Sequence, residues 1–236
     1  MSVKVVLFDL DGTLLPMDQD VFIKTYLGML VKSIAPFGYD PKLLADTIMM
    51  GTADMVKNNG EKTNECRFWD RFTSVFGEDA LADMPLFNEF YEKEFDKVSS
   101  VCGFEPMAAE AVKEIKKLGY RVSLATQPAF PMMATERRIK WAGLSKEDFE
   151  LVTTYESSRF CKPNLSYYMD ITDALGVSPE ECLMVGNDAH EDTCIEALGV
   201  PVFLITQDLL NRHNRDISGY PQGDLNDLLR FVEGKL

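Results

Sequence analysis

The sequence contains nothing resembling a membrane span: no stretch approaches the 18 or more consecutive apolar residues such a segment needs. The opening run from Met1 to Phe8 is too short for a secretory signal and has no cleavage site. Cysteine is sparse. The five (Cys66, Cys102, Cys161, Cys182, Cys194) are odd in number and scattered, without a CxxC pair, which argues against a disulfide framework or a zinc site. The expected setting is therefore the cytoplasm. Positive charge is also in deficit, with 24 Lys and Arg against 38 Asp and Glu, a net charge of −14. Such a chain is repelled by nucleic-acid backbone and by anionic membranes, so neither is an expected partner. A phosphate can still bind where a metal and a lysine reverse the field locally.

What remains is ordinary globular material. Of 236 residues, 46% are hydrophobic and 26% charged, which suits one sizeable domain or a core carrying an insert. Val3 to Phe8 reads as a strand covered on both faces, ending at Asp9-Leu10-Asp11-Gly12-Thr13. From Asp18, a predicted N-cap, apolar residues recur at helical spacing, and further helices are expected over 41–50, 64–76 and 85–97. Residues 16–98 thus read as an all-helical insert, and 1–15 with 99–236 as the core. Helices are predicted over 105–118, 132–142, 165–175, 191–198 and 224–232. Strands are predicted over 120–125, 151–154, 182–185 and 202–205. Alternation of this kind implies an α/β fold with a doubly wound parallel sheet, in which ligands gather beyond the carboxyl ends of the strands.

Four clusters fall there. Asp9 and Asp11, at i and i+2 of a strand end, point to one side, and paired carboxylates either repel or share a cation such as Mg²⁺. With four fixed residues at roughly one in twenty each, the string D-x-D-G-T should arise by chance in about one chain in a thousand of this length. Thr126 follows the 120–125 strand, where a hydroxyl and backbone N–H groups can hold a phosphate oxygen. Lys162, held extended by Pro163, can cancel carboxylate charge. The run Gly186-Asn187-Asp188-Ala189-His190-Glu191-Asp192 follows another strand and carries more acidic and amide groups than a helix cap requires.

In order and approximate spacing these clusters resemble the four motifs of the haloacid dehalogenase superfamily, and the likeness spans nearly the whole chain. The resemblance implies a Rossmann-like core with a small helical cap of the first cap class, as in phosphoglycolate phosphatase and β-phosphoglucomutase. It implies that Asp9 is the nucleophile, forming an aspartyl-phosphate. Asp11 would protonate the leaving oxygen and then deprotonate water. Thr13, Thr126, Gln127 and Lys162 would hold the phosphoryl group, with Lys162 also serving catalysis. Mg²⁺ would be bound by Asp9, the Asp11 carbonyl and the 187–192 loop, through Asn187 or Asp188 together with Asp192. The superfamily usually has an acid where this chain has Asn187, and an asparagine where it has Gln127. His190 reads as a bystander. Asp11 speaks against dehalogenation, since those relatives generally lack an aspartate there.

The expected activity is Mg²⁺-dependent hydrolysis of a small phosphorylated metabolite. A phosphomutase of the β-phosphoglucomutase type and a non-catalytic binding module on the same fold are the alternatives. Met49-Met50-Gly51-Thr52-Ala53 resembles a cap loop that meets substrate in related enzymes. Phe22, Tyr26, Phe68, Trp69, Phe72, Phe90 and Phe95 read as the core of the helical bundle. Lys24, Lys57, Arg67 and Arg71 are candidates to reach a second anionic group.

Overall fold

Val5, Val6, Leu7 and Phe8 form β1 (Val5–Phe8), and none of the four has any exposed surface. Branched and aromatic side chains on both faces suit a strand covered from both sides. In the computed structural model, which describes residues 3–235, β1 has β2 (Arg121–Leu124) on one side and β3 (Cys182–Gly186) on the other. The sheet continues through β4 (Val202–Ile205) to a short β5 (Gln222–Gly223), all parallel, in the order β2-β1-β3-β4-β5.

Because side chains alternate along a strand, β1 feeds two cores. Val6 and Phe8 pack with α5 (Pro106–Lys117), α6 (Met132–Trp141) and α8 (Leu225–Lys235). Val5 and Leu7 pack on the opposite face with Tyr167, Tyr168, Ile171 and Leu175 of α7 (Leu165–Leu175). Helices on both faces of a parallel sheet are the doubly wound arrangement that the alternating pattern predicts.

Between β1 and α5 the chain is helical: α1 (Gln19–Ile34), α2 (Pro41–Val56), α3 (Asn64–Phe76), α4 (Met84–Lys93) and 3-10 turns over Phe95–Val101. The starts follow capping chemistry. The Asp18 carboxylate takes the N–H groups of Asp20 and Val21, Asp40 caps α2 just before Pro41, and Thr63 caps α3. The aromatic core of these helices is continuous with the core on the Phe8 face of the sheet. Within it Phe72, 1% exposed, lies edge-on to Trp69 and Phe87, each with ring centroids 5.3 Å away.

Three local expectations differ. Residues 151–154 do not form a strand; only a single bridge joins Val152 to Leu124. Residues 191–198 do not form an α-helix. The Asp188 carboxylate takes the N–H groups of His190 and Glu191, and Thr193 Oγ1 donates to the Ala189 carbonyl, so side chains replace helical bonding until a 3-10 turn at Cys194–Leu198. The 49–53 stretch is no loop but the interior of α2. β5 had no signal in the sequence, being two residues long. Among the described residues no helix is long and apolar enough to cross a membrane.

Phe72→Ala should cost about 3–5 kcal/mol, the usual range for emptying a packed aromatic site. Urea unfolding should show the midpoint falling with little change in slope; a cost below about 1 kcal/mol would mean that this aromatic cluster is not close-packed.

Candidate active site

Parallel register delivers the site. Phe8 pairs with Val185 in β3 and with Leu124 in β2, so the residues after these strands, Asp9, Gly186 to Asp192 and Thr126, emerge side by side. Lys162 arrives from the segment before α7. Its backbone is clamped by Gln127, whose Oε1 accepts from Lys162 N at 3.0 Å and whose Nε2 donates to the Lys162 carbonyl at 3.2 Å. The same Nε2 also lies 3.0 Å from Glu191 Oε2. Gln127 is thereby occupied in placing Lys162.

The Lys162 ammonium is 1% exposed and sits between two carboxylates, 2.8 Å from Asp9 Oδ1 and 2.6 Å from Asp192 Oδ1. Two glycines make room for this group. Gly12, in left-handed backbone at φ +86°, has its Cα hydrogens against the Asn187 amide, and Gly186 lies against the Asp192 carboxylate; a Cβ at either would overlap the neighbouring side chain. Asp192 Oδ2 accepts from Asp188 N at 2.9 Å, which fixes the turn.

Burial is the dominant influence on charge here. It raises the Asp9 carboxyl, Lys162 pulls it back, and Asp192 and Asp11 push it up again, leaving it at about 7. Burial pushes the Lys162 ammonium down, but the attraction of Asp192 and Asp9 prevails and holds it well above the ordinary lysine value. Asp11 is likewise raised by burial, opposed by Arg138 and Lys162.

Arg138 was not anticipated. It lies on α6 with its side chain wholly buried, pairs with Asp11 Oδ2, donates from Nη2 to Thr135 Oγ1 at 3.2 Å and places its guanidinium 4.4 Å from the Phe130 ring centre. A signal did exist: Arg138 falls on the same stripe of α6 as Ala134, Ile139 and Ala142, all buried, where a charge is out of place unless it has a partner.

The remaining expected residues divide. Thr13 Oγ1 lies 3.1 Å from Asn187 Oδ1 and 3.3 Å from Asp9 Oδ2, and Asn187 Nδ2 donates to the Asp208 carbonyl at 2.7 Å. Thr126 Oγ1 is buried without a hydrogen-bond partner, while its carbonyl accepts from Thr153 Oγ1 and Tyr167 Oη. Asp188 is not drawn into the Lys162 group; it caps its own turn and lines an outer depression with His190, His213 and Lys24.

A hard cation is tested by the oxygens on offer. Among the described residues no three His, Cys, Asp or Glu side chains converge as a metal-binding group. The donor chemistry nonetheless fits one in kind. Asp9, Asp11 and Asp192 face only Lys162 and Arg138, and Asp11 Oδ1 is buried without a partner. A Mg²⁺ here would draw on one or two carboxylates and complete its shell with neutral oxygens, the Asn187 amide included, and water.

The family model described as haloacid dehalogenase-like hydrolase matches residues 3–193. The chain is 27% identical over 191 residues to the pyrophosphatase PpaX of Bacillus cereus (strain AH820), covering 81% of this chain and 77% of that protein. Its fold is similar to a haloacid dehalogenase (HAD) phosphatase from Thermococcus onnurineus, with a TM-score of 0.60, 20% identity and coverage of 98% and 99% of the two chains. It is also similar to the L-2-haloacid dehalogenase of Xanthobacter autotrophicus, at 0.57 and 15%, covering 99% and 100%.

Arg138→Met leaves Asp11 buried without its counter-charge and should destabilise the protein by about 3–5 kcal/mol. In an Asp11→Asn background the same substitution should cost about 1–3 kcal/mol less, read as the coupling in a double-mutant cycle by urea unfolding. Zero coupling would mean the ion pair contributes nothing to stability.

Proposed function

The chain belongs to the haloacid dehalogenase-like hydrolase family, and on that premise we propose that it is a Mg²⁺-dependent phosphatase acting on a small phosphate monoester through an aspartyl-phosphate on Asp9. The observation that carries this reading is the buried Asp9–Lys162–Asp192 group beside Asp11 and the unpartnered Thr126 hydroxyl. Phosphoryl transfer asks a protein mainly for positioning and for neutralisation of spreading charge. An ammonium held in place by two carboxylates and a buried hydroxyl donor without an acceptor supply both for a phosphate.

In the first step an Asp9 carboxylate oxygen attacks phosphorus as the bond to the leaving oxygen breaks, and that oxygen takes a proton from Asp11. In the second, Asp11 removes a proton from water, the hydroxide attacks the aspartyl-phosphate, and inorganic phosphate leaves with the Asp9 carboxylate restored. Asp11 is suited to both roles. Arg138 holds Oδ2, Oδ1 has no partner, and burial raises the carboxyl so that its neutral form lies within reach. Lys162 and the Thr126 hydroxyl would bind the phosphoryl oxygens. A bound Mg²⁺, held by Asp9, the Asp11 carbonyl, Asp192 and Asn187, would supply charge neutralisation at the phosphoryl group. The helices over 16–98 serve as the cap that encloses the leaving group.

Phosphatase activity is the function printed for the PpaX and Thermococcus relatives, and Asp11 sets this chain apart from dehalogenation. The test is p-nitrophenyl phosphate turnover with Mg²⁺. Wild type should turn over, chelation should abolish activity and added Mg²⁺ restore it. Asp9→Asn should fall to the background rate, and Asp11→Asn by about 10²-fold or more. If wild type and Asp9→Asn hydrolyse the ester equally, the reading is wrong.

A further inference from the structure

Asp11 faces a cavity of about 290 Å³ between the helical stretch and the sheet. That is about twice the ~150 Å³ that encloses one benzene ring. Its floor at the reacting end is Asp11, Gln127 and Glu191. Its walls are aromatic and aliphatic, among them Phe22, Tyr26, Phe68, Trp69, Phe87 and Tyr91. No lysine, arginine or histidine lines it. Its only ionisable carboxylates belong to the acidic floor, and two of its polar groups, the Tyr26 and Tyr91 hydroxyls, are bonded to each other at 2.7 Å.

The cations that could have reached a second anionic group are elsewhere. Lys57, Arg67 and Arg71 line a separate surface depression, where Arg71 pairs with Asp54 at 2.7 Å and Arg67 with the Asn58 and Asn59 amides. Lys24 lines the outer depression beside Asp188. Arg138 is held behind the wall, engaged by Asp11 and covered by Phe130. A carboxylate or a second phosphate in the cavity would therefore be desolvated beside two acidic side chains with no counter-ion, the costliest way to bury a charge.

Resting on the phosphatase reading, we propose that the leaving group is an uncharged, largely apolar alcohol, ring-bearing or of comparable bulk, and that phosphoglycolate and pyrophosphate are poor substrates. The aromatic helices are thus both bundle core and specificity wall. Their inner rings hold the bundle together while the faces turned to Asp11 select the alcohol.

The experiment ranks five unactivated probes at fixed Mg²⁺ by kcat/KM: methyl, n-butyl and 2-phenylethyl phosphate, 2-phosphoglycolate and inorganic pyrophosphate. From methyl to butyl, kcat/KM should rise roughly fourfold per added methylene, as burial of a CH₂ dictates. The phenylethyl ester should lead the series. Pyrophosphate, despite its better leaving group, should fall below the butyl ester. Phosphoglycolate or pyrophosphate equalling the phenylethyl ester would overturn the inference while leaving the phosphatase reading intact. Failure of all five, together with p-nitrophenyl phosphate, would overturn both. Val56→Arg places a cation at the cavity wall, at the partly exposed end of α2. It should raise phosphoglycolate turnover relative to phenylethyl phosphate by about tenfold or more, the order a single charge pair supplies near a protein surface. An unchanged ratio in folded variant protein counts against the cavity as the leaving-group site.

Discussion

An ammonium ion buried between two carboxylates is the constraint around which the rest of the structure is arranged. Taking Lys162, Asp9 and Asp192 out of water costs several kcal/mol for each ion, and one attraction at about 4 Å returns only about 4 kcal/mol at the effective dielectric of a protein surface. Lys162 is stable there because it has two carboxylate partners at 2.8 and 2.6 Å. The arrangement tolerates little slack. The Lys162 backbone is therefore fixed on both its N–H and its carbonyl by Gln127, and the Asp192 carboxylate is fixed by the Asp188 amide.

Those fixings depend on the sheet. Asp9, Thr126 and the 186–192 turn belong to segments far apart in sequence, and only the in-register pairing of β1 with β2 and β3 brings their ends to one edge. Strand burial therefore does more than stabilise. A one-residue slip of β3 would turn Val185 and Met184 to the wrong cores and remove the loop from Lys162 at the same time. Gly12 and Gly186 stand where strand ends come closest to side chains from the neighbouring segment, so the site is as close-packed as the core beneath it.

Much of this was legible in the sequence because it is carried by local signals. Strand burial, capping residues such as Asp18 and Thr63, and the spacing of Asp9, Thr126, Lys162 and the 186–192 run all leave marks on short stretches. What escaped depends on contacts across the chain. Arg138 is one basic residue among many until its helix is seen to bury it against Asp11. Residues 191–198 have a helical pattern, but the Asp188 carboxylate and the Thr193 hydroxyl take over the backbone groups a helix would use. The helical-stretch aromatics showed the right period for a core, yet period alone does not reveal that some of their faces border an enclosed space beside Asp11.

Arg138 links the two halves of the site. A buried arginine that faced the cavity would have made an anion receptor beside the scissile bond. Turned instead toward Asp11, it neutralises the carboxyl and stacks on Phe130, so that the wall presents a ring where a guanidinium would otherwise be. Its charge is consumed by Asp11 just as the charge of Lys162 is shared between Asp9 and Asp192. With −14 net charge on the whole chain, no distant field makes up the difference. The cations at the strand ends suffice for one phosphoryl group, and a second anion on the leaving side would meet acids and aromatic rings. The same ion pair that prepares Asp11 for proton transfer thus also fixes the polarity of the alcohol it can release.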